Sequence, residues 1–237
     1  MSEEIQKKKT GVPREYVLGK ADFMEHPFEC TPDTLIPRNE TRVLVDTALQ
    51  AILEKEAFEK ELLLIEIGTG CGNIAASIAM GSKQVRILAS DISPKAVAIA
   101  QRNIDAYKLG DRVSLFCGDL FSPFQDKGYE GKIDFIVCNP PYIPTASLEK
   151  LASEIIDHEP RVALDGGPYG INIFRGLIAG ALSLLKPSGM LFFEIGERQE
   201  KLAARLIEKN GGYEDISYFE YEGAIRVLRA KKRGVIA

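Results

Sequence analysis

Residues 62–73 read LLLIEIGTGCGN, an apolar run that leads directly into a glycine-rich turn. The run Leu62–Ile67 is typical of a strand buried on both faces in a parallel sheet, and a helix is predicted to follow over Ile74–Met80. A G-x-G-x-G turn between strand and helix lets the backbone approach a ligand closely and presents helix N-terminal amides to it. The stretch therefore predicts an α/β fold with a ligand site at this turn. A glycine turn needed only for tight packing is the alternative.

An acidic residue follows the next predicted strand, Val85–Ala89. Asp91 lies 23 residues after Gly68, close to the spacing at which an acidic residue grips the hydroxyls of a ribose. A helix cap for Pro94–Tyr107, supplied by Asp91 or Ser93, is the other interpretation. We favour the ribose role because the strand tip, the spacing and the glycine turn agree.

A second acidic residue, Asp119, follows the third predicted strand, Arg112–Cys117. A carboxylate with apolar neighbours suits an adenine ring, with Asp119 accepting a hydrogen bond from the N6 amine and Leu120 or Phe121 against the ring. A polar loop cap beside a core aromatic explains the same residues, so both interpretations stay open.

The fourth predicted strand, Ile133–Cys138, delivers the tetrapeptide Asn139, Pro140, Pro141 and Tyr142 to the crevice where ligands bind in open α/β sheets. The prolines fix their own φ angles at about −65° and bias Asn139 towards extended geometry. The side-chain amide of Asn139 is therefore held rigidly. A planar NH2 group has two N–H donors, which Asn139 Oδ1 and the Pro140 carbonyl could both accept, freeing the nitrogen lone pair for attack. Tyr142 would stack on that planar group. A simple turn after a strand is the alternative.

The rest of the chain continues the alternation of strands and helices. Before Leu62 we predict a flexible tail over residues 1–11, an extended arm or hairpin over residues 12–38, and a helix capped by Asn39 that runs to about Glu59. After Tyr142 the predicted elements are a loop to Gly170, a helix Ile171–Leu185, a turn Lys186–Gly189, a strand Met190–Ile195, a helix Gln199–Lys209 and strands Tyr213–Phe219 and Ala224–Ala230. This order predicts a doubly wound α/β sheet of seven strands with a terminal hairpin and one antiparallel strand.

Composition limits the classes of function. The 237 residues, of which 45% are hydrophobic and 27% charged, suit one large α/β domain with an appendage or two small domains, and the net charge of −4 gives no support for strong nucleic-acid binding. Four cysteines without C-x-x-C spacing and two histidines argue against a metal site, and we expect Cys71, Cys117 and Cys138 in the core. Without an apolar leader or a run of 18 apolar residues, we expect a cytoplasmic protein and no membrane partner.

These motifs together resemble the class I S-adenosylmethionine-dependent methyltransferases that methylate amino groups. Four further stretches make the chain similar to the HemK/PrmC protein-(glutamine-N5) methyltransferases, which modify the glutamine of the Gly-Gly-Gln motif in peptide chain release factors. These stretches are residues 14–19 (REYVLG), 34–41 (TLIPRNET), 159–167 (EPRVALDGG) and 193–199 (FEIGERQ). The likeness runs collinearly over roughly residues 12–230 and implies a Rossmann-like methyltransferase domain over residues 39–237.

The resemblance implies S-adenosyl-L-methionine as cofactor, S-adenosyl-L-homocysteine as product, no metal, and a release factor as partner. It also implies two groups of site residues. The cofactor residues are Glu66, Gly68, Thr69, Gly70 and Gly72 at the turn, Asp91 and Ile92 at the ribose, Asp119 and Leu120 at the adenine, and Asn139. The residues implied for the substrate glutamine are Asn139, Pro140, Pro141 and Tyr142, with Pro37, Arg38 and Glu40 shaping the wall near the transferred methyl.

There are two departures from the family pattern: the first bears on how the substrate docks, and the second, at Asn39 and Cys71, is mild and should leave cofactor binding intact. The bacterial enzymes usually carry an N-terminal helical domain that helps to hold the release factor, and only about a dozen residues precede the shared region here. We therefore leave open whether a partner subunit replaces that domain. Asn39 stands where the family more often has proline, and Cys71 where it has threonine or alanine.

Three other functions are weighed. Glutamine methylation of a ribosomal protein is the nearest alternative, and N6-adenine or RNA amino-methylation uses a similar tetrapeptide. The acidic net charge argues against the nucleic-acid substrates. A catalytically silent binding module is the third alternative, and the intact Asn139 motif argues against it.

Overall fold

A computed structural model describes residues 11–234. The tail predicted over residues 1–11 lies outside these residues except for Gly11. The helices are α1 (Arg14–Leu18), α2 (Arg42–Glu56), α3 (Asn73–Gly81), α4 (Pro94–Ala106), α5 (Thr145–Leu148), α6 (Ser153–His158), α7 (Asn172–Leu184) and α8 (Glu200–Asn210). The strands are β1 (Lys20–Phe23), β2 (His26–Glu29), β3 (Leu62–Ile67), β4 (Val85–Asp91), β5 (Val113–Cys117), β6 (Ile133–Cys138), β7 (Leu185–Glu194), β8 (Tyr213–Tyr221) and β9 (Ala224–Lys232).

The main sheet has seven strands in the order β5-β4-β3-β6-β7-β9-β8. Strands β3 to β7 pair in parallel, whereas β9 is antiparallel to both β7 and β8. The predicted fold class, with its single antiparallel strand in a terminal hairpin, is therefore confirmed. The chain leaves β3 for β4 on one side and returns to β6 on the other, so the strand order reverses between β3 and β6.

Helices cover both faces of the sheet because each buried strand is apolar on both sides. Leu64 of β3 faces α2, α3 and α4, whereas its neighbour Ile65 faces α7 and α8. The largest side chains of the second face are aromatic, with Phe174 of α7 against Phe193 of β7 at 5.2 Å between ring centroids. Among the described helices, none has both the length and the apolar character that crossing a membrane requires.

The N-terminal segment forms a hairpin of β1 and β2, which is fastened to α4 by one buried amide. Asn103 Nδ2 donates to the carbonyl oxygens of Glu29 (2.9 Å) and Cys71 (2.8 Å), and Asn103 Oδ1 accepts from Glu29 N at 2.8 Å. The hydroxyl of Tyr107 also donates to the Pro27 carbonyl at 2.6 Å. Asn103 therefore joins the hairpin, α4 and the glycine turn.

The structure corrects three local predictions. Lys186–Gly189 is not a turn before a strand but a bulge within β7, because Leu185 before it and Met190 after it both pair with β6. Asn39 makes no side-chain cap bond, and the helix begins with a 3-10 turn instead. The segment to Gly170 is not only a loop, since it contains α5 and α6.

Of the cysteines predicted in the core, Cys71 and Cys138 are buried but Cys117 is exposed. Cys117 ends β5, which lies at the edge of the sheet where one side of the strand meets solvent. Within residues 11–234, no group of three or more His, Cys, Asp or Glu side chains is arranged to hold a metal ion.

A buried carboxylate closes the amino-terminal end of the sheet. Asp134 of β6 is fully buried and accepts from Leu63 N at 2.9 Å and from Lys186 Nζ at 2.8 and 3.0 Å. It also forms an ion pair with Lys55 of α2. Because the bulge in β7 carries Lys186 to this carboxylate, Asp134 links β3, β7 and α2.

We expect Asp134→Ala to lower the free energy of unfolding by about 2 to 4 kcal/mol, because Leu63 N and two ammonium groups lose their acceptor. Asp134→Asn should cost less, since its amide oxygen still accepts from Leu63 N. The control is Glu61→Ala, which breaks the exposed pair with Arg86 and should cost less than about 0.5 kcal/mol. Urea denaturation measures all three, and equal losses for Asp134→Ala and Glu61→Ala would contradict the structural role of Asp134.

Candidate functional site

A cleft opens at the carboxyl ends of β3 to β6, with about 1070 Å³ of empty space when its solvent-open mouth is included. Its lining is mostly apolar with a few polar side chains, as is typical of small-molecule sites at this edge of an α/β sheet. The predicted site residues that line it are Pro37, Arg38, Gly68, Thr69, Gly70, Asp91, Ile92, Asp119, Leu120, Asn139, Pro140 and Pro141. Four residues of the two predicted groups, Glu40, Glu66, Gly72 and Tyr142, lie outside the lining, as does Phe121, the alternative to Leu120 against the adenine.

The glycine turn is held to β4 by its own backbone. Gly68 N and Thr69 N donate to the Ser90 carbonyl oxygen at 2.8 and 2.9 Å. Gly70 has φ +55°, and a Cβ built there would meet no atom within 4 Å, so the turn presents bare backbone to open space. Gly72, at φ +82°, instead packs α3 against α4, because its Cβ would lie 3.2 Å from Ala100 Cβ.

Asp91 stabilises the glycine turn and can still accept hydrogen bonds from a ligand. Its Oδ2 accepts from Gly70 N and its Oδ1 from Ser93 N, both at 2.9 Å. Burial raises the pKa of Asp91, and these backbone bonds oppose that rise. Ser93, not Asp91, caps α4 by accepting from Ala96 N at 3.3 Å. Since a carboxylate offers about four lone-pair sites, each Asp91 oxygen can accept one further hydroxyl.

Glu66 lies beneath the turn. Its Oε2 accepts from Thr69 Oγ1 at 2.8 Å, whereas its Oε1 has no hydrogen-bond partner in the described part of the chain. Burial is the main cause that raises the pKa of Glu66 to about 8, although the Thr69 bond opposes the rise. Glu66 therefore holds a proton near neutral pH and orients the turn through Thr69.

Asn139 sits at the end of a chain of side-chain hydrogen bonds. Its Nδ2 donates to Thr41 Oγ1 at 3.1 Å, and Thr41 Oγ1 donates to Glu194 Oε2 at 2.8 Å. The other oxygen of Glu194 accepts from the Tyr142 hydroxyl at 3.1 Å. Among residues 11–234, none donates a hydrogen bond to Asn139 Oδ1, so this oxygen is available to a ligand in the cleft.

Tyr142 stabilises the tetrapeptide through contacts outside the cleft. The sequence predicted that its ring would stack on a planar group in the cleft; the ring does not line the cleft, is partly buried and packs against the core that also holds α7 and α8. Its hydroxyl is committed to Glu194, and its carbonyl oxygen accepts from Gln199 Nε2 at 2.9 Å. Tyr142 therefore fixes the backbone of the tetrapeptide.

A second set of contacts joins the N-terminal arm to the far wall of the cleft. Arg38 forms an ion pair with Glu159, and Glu159 Oε2 accepts from Ile36 N at 3.4 Å. The Glu159 side chain is 1% exposed and the Arg38 side chain 29%, so the carboxylate lies out of water while the guanidinium side chain stays partly solvated. The hydroxyl of Tyr16 donates to the Thr34 carbonyl at 2.6 Å and steadies the same arm.

The sequence did not assign roles to Thr41, Glu159 and Glu194, although each falls within a stretch that carries the family resemblance. Glu194 was detectable, because it is an ionisable residue at the end of the apolar strand residues 190–193, where charge is rare unless it is paired. Thr41 carries no comparable local signal.

Comparison with known proteins identifies relatives over nearly the whole chain. The Methyltransferase small domain family matches residues 41–171. The release factor glutamine methyltransferase of Moorella thermoacetica is 38% identical over 230 residues, which cover 97% of this chain and 78% of the relative. The protein of the same name from Geobacter sulfurreducens is 37% identical over 216 residues, covering 91% of this chain and 72% of the relative.

Solved structures of more distant proteins share the fold. A methyltransferase from Pyrococcus furiosus superposes with a TM-score of 0.60 at 19% identity, covering 96% of this chain and 99% of its own. The N-terminal domain of human METTL16 in complex with SAH superposes with a TM-score of 0.61 at 16% identity, covering 86% of this chain and 74% of its own.

Burial of Glu66 predicts a pH dependence of stability. Between its ordinary pKa of 4.5 and its raised pKa of about 8, the folded chain holds a proton that the unfolded chain has lost, so stability falls as pH rises. We expect Glu66→Gln, which cannot ionise, to gain stability relative to the wild type across this window and to keep a constant difference above it. Urea denaturation from pH 4.5 to 9 measures this, and a difference that does not change with pH would contradict it.

Proposed function

The chain belongs to the release factor glutamine methyltransferase family, and from this premise we propose its reaction. It transfers a methyl group from S-adenosylmethionine to the side-chain amide nitrogen, N5, of the glutamine in the Gly-Gly-Gln motif of a peptide chain release factor. The observation that carries the proposal is Asn139, whose NH2 group is held by Thr41 and whose oxygen is left as an acceptor in the cleft.

The cleft fits the cofactor. Gly70 leaves open space above the turn, where a side chain would obstruct a ligand. Asp91 has acceptor capacity for the two ribose hydroxyls, and Asp119 with Leu120 borders the adenine at the tip of β5. When bound, S-adenosylmethionine supplies an electrophilic methyl group on a sulfonium, and S-adenosyl-L-homocysteine is the product.

The residues of the tetrapeptide prepare the substrate amide. Asn139 Oδ1 and the Pro140 carbonyl oxygen accept hydrogen bonds from its two N–H groups. These bonds fix the nitrogen and free its lone pair for in-line attack on the methyl group. Neither proline has an N–H group that would compete for these acceptors. Pro141 completes this wall of the cleft, and Tyr142 supports it through Glu194.

Catalysis depends mainly on position. Neither His26 nor His158 lines the cleft, and a neutral amide is a very weak acid that would gain little from a general base. Alignment of the reacting atoms can lower the activation barrier by roughly 7 to 11 kcal/mol. This is a larger effect than the roughly 10²- to 10⁴-fold rate acceleration that acid–base groups typically provide. The amide therefore loses its proton to water after methyl transfer.

The arm over residues 12–38 contributes to the site, which otherwise belongs to the methyltransferase domain over residues 39–237. Pro37 and Arg38 form the wall near the transferred methyl, and Glu159 holds Arg38 in place. The substrate glutamine therefore enters between this arm and the tetrapeptide.

The function is tested by transfer from labelled S-adenosylmethionine to a purified release factor, compared with its Gln→Ala variant in the Gly-Gly-Gln motif. We expect one methyl group on the unmutated glutamine alone, located by mass spectrometry. Equal labelling of both proteins would contradict the assignment. No transfer despite cofactor binding would favour a ribosomal-protein substrate or a required partner subunit.

Two substitutions should separate the substrate and cofactor parts of the cleft. We expect Asn139→Ala to lower kcat by about 10²-fold, because the amide loses an acceptor, with cofactor affinity changed less than about threefold. Asp91→Asn should instead weaken cofactor binding by about 10- to 100-fold, since an uncharged amide accepts more weakly. Calorimetry and steady-state kinetics measure both effects, and near-normal turnover of Asn139→Ala would contradict the acceptor role.

A further inference from the structure

The hydrogen bonds around Thr41 fix which end of the Asn139 carboxamide faces the cleft. A threonine hydroxyl has one hydrogen to donate, and an ionised glutamate can only accept. Glu194 Oε2 takes the Thr41 hydrogen at 2.8 Å, so Thr41 Oγ1 offers Asn139 a lone pair and no hydrogen. Asn139 must therefore turn its NH2 group towards Thr41, as the 3.1 Å contact shows, and its oxygen away from it.

We propose that Thr41 and Glu194 are positioning residues that hold the Asn139 carboxamide oxygen towards the substrate amide. This inference rests on the proposed function and names residues that act on the substrate amide through Asn139; Thr41 also lines the cleft, whereas Glu194 does not. Both side chains are buried, at 2% and 0% exposure, so water does not compete for these bonds. Tyr142 holds the other oxygen of Glu194 and completes the set.

The same chain of bonds makes the orientation depend on the charge of Glu194. A Glu194 protonated on Oε2 donates to Thr41, which frees the Thr41 hydrogen for Asn139 and allows the opposite, inactive orientation. Burial raises the pKa of Glu194 to about 7, which the bonds from Thr41 and Tyr142 oppose. The other ionisable groups that face it are Glu40, which also raises that pKa, Arg226, which lowers it, and the buried Cys138 thiol.

Variants at both residues test the proposal by kinetics with a release factor substrate. Thr41→Val, which keeps the shape and removes the hydroxyl, and Glu194→Gln, which can donate to Thr41, should each lower kcat by roughly 10- to 100-fold. The KM for the cofactor should change less than about threefold. Thr41→Ser restores the hydroxyl and should recover most of the lost kcat.

The control is Ser77→Ala in α3, at a buried hydroxyl with no hydrogen-bond partner among the described residues. It should leave kcat unchanged and show that the loss of a buried hydroxyl is not by itself enough to lower kcat.

The pH profile gives a second test. The wild-type kcat should fall as the pH drops below about 7, where Glu194 takes up a proton. In Thr41→Val this fall of kcat at acidic pH should be lost. Retention of kcat within threefold by both Thr41→Val and Glu194→Gln would overturn the proposal.

A measurement without activity separates this inference from the proposed function. In the chain labelled with ¹⁵N-asparagine, the Asn139 NH2 signals are assigned by their absence in Asn139→Ala. We expect Thr41→Val to speed their exchange with water several-fold and Thr41→Ser to keep it slow. Unchanged exchange in Thr41→Val would overturn the proposal even if the wild type methylates a release factor, and the expected change would support it even if the wild type does not.

Discussion

The pairing of β3 with β6 is the constraint on which the site depends. Ile67 lies opposite Cys138, so the glycine turn after one strand and the tetrapeptide after the other face each other although they are far apart in the sequence. A Cβ on Gly68 would lie 3.9 Å from the Asn139 carbonyl oxygen, which shows how closely the two loops approach. Because both strands are buried on both faces, a shift of register would move each apolar side chain into a space packed for a different one, and this packing fixes the register.

Three buried acidic residues around this sheet show how differently a carboxylate can be used. Asp134 accepts from a backbone amide and two lysines and joins elements at the amino-terminal end. Glu194 accepts from two hydroxyls and directs a neighbouring amide. Glu66 keeps one oxygen without a partner in the described residues, and burial shifts it towards its protonated form. Burial is the main cause that raises the pKa of both Glu66 and Glu194, and the hydrogen bonds that each accepts oppose the rise.

Sequence reasoning located the strand tips and with them most of the cleft. Apolar runs followed by glycine, proline or acidic residues are local signals, so Gly68, Asp91, Asp119 and Asn139 could be placed without a structure. The Thr41–Glu194 contact could not, because it joins residues 153 positions apart through a register that only the folded sheet defines. The same limit explains Cys117, whose exposure follows from the position of β5 at the edge of the sheet.

Asn103 couples the segments that surround the cleft to one another. One amide bonds the hairpin and the glycine turn to α4, and Arg38 with Glu159 closes the arm on the opposite side. Local opening of the arm removes partners from the same Asn103 amide that holds the turn, so we expect these segments to open as one cooperative unit with a shared free energy of opening. A ligand bound in the cleft stabilises that whole unit by mass action, so a small molecule there protects a much larger part of the protein from local unfolding and proteolysis.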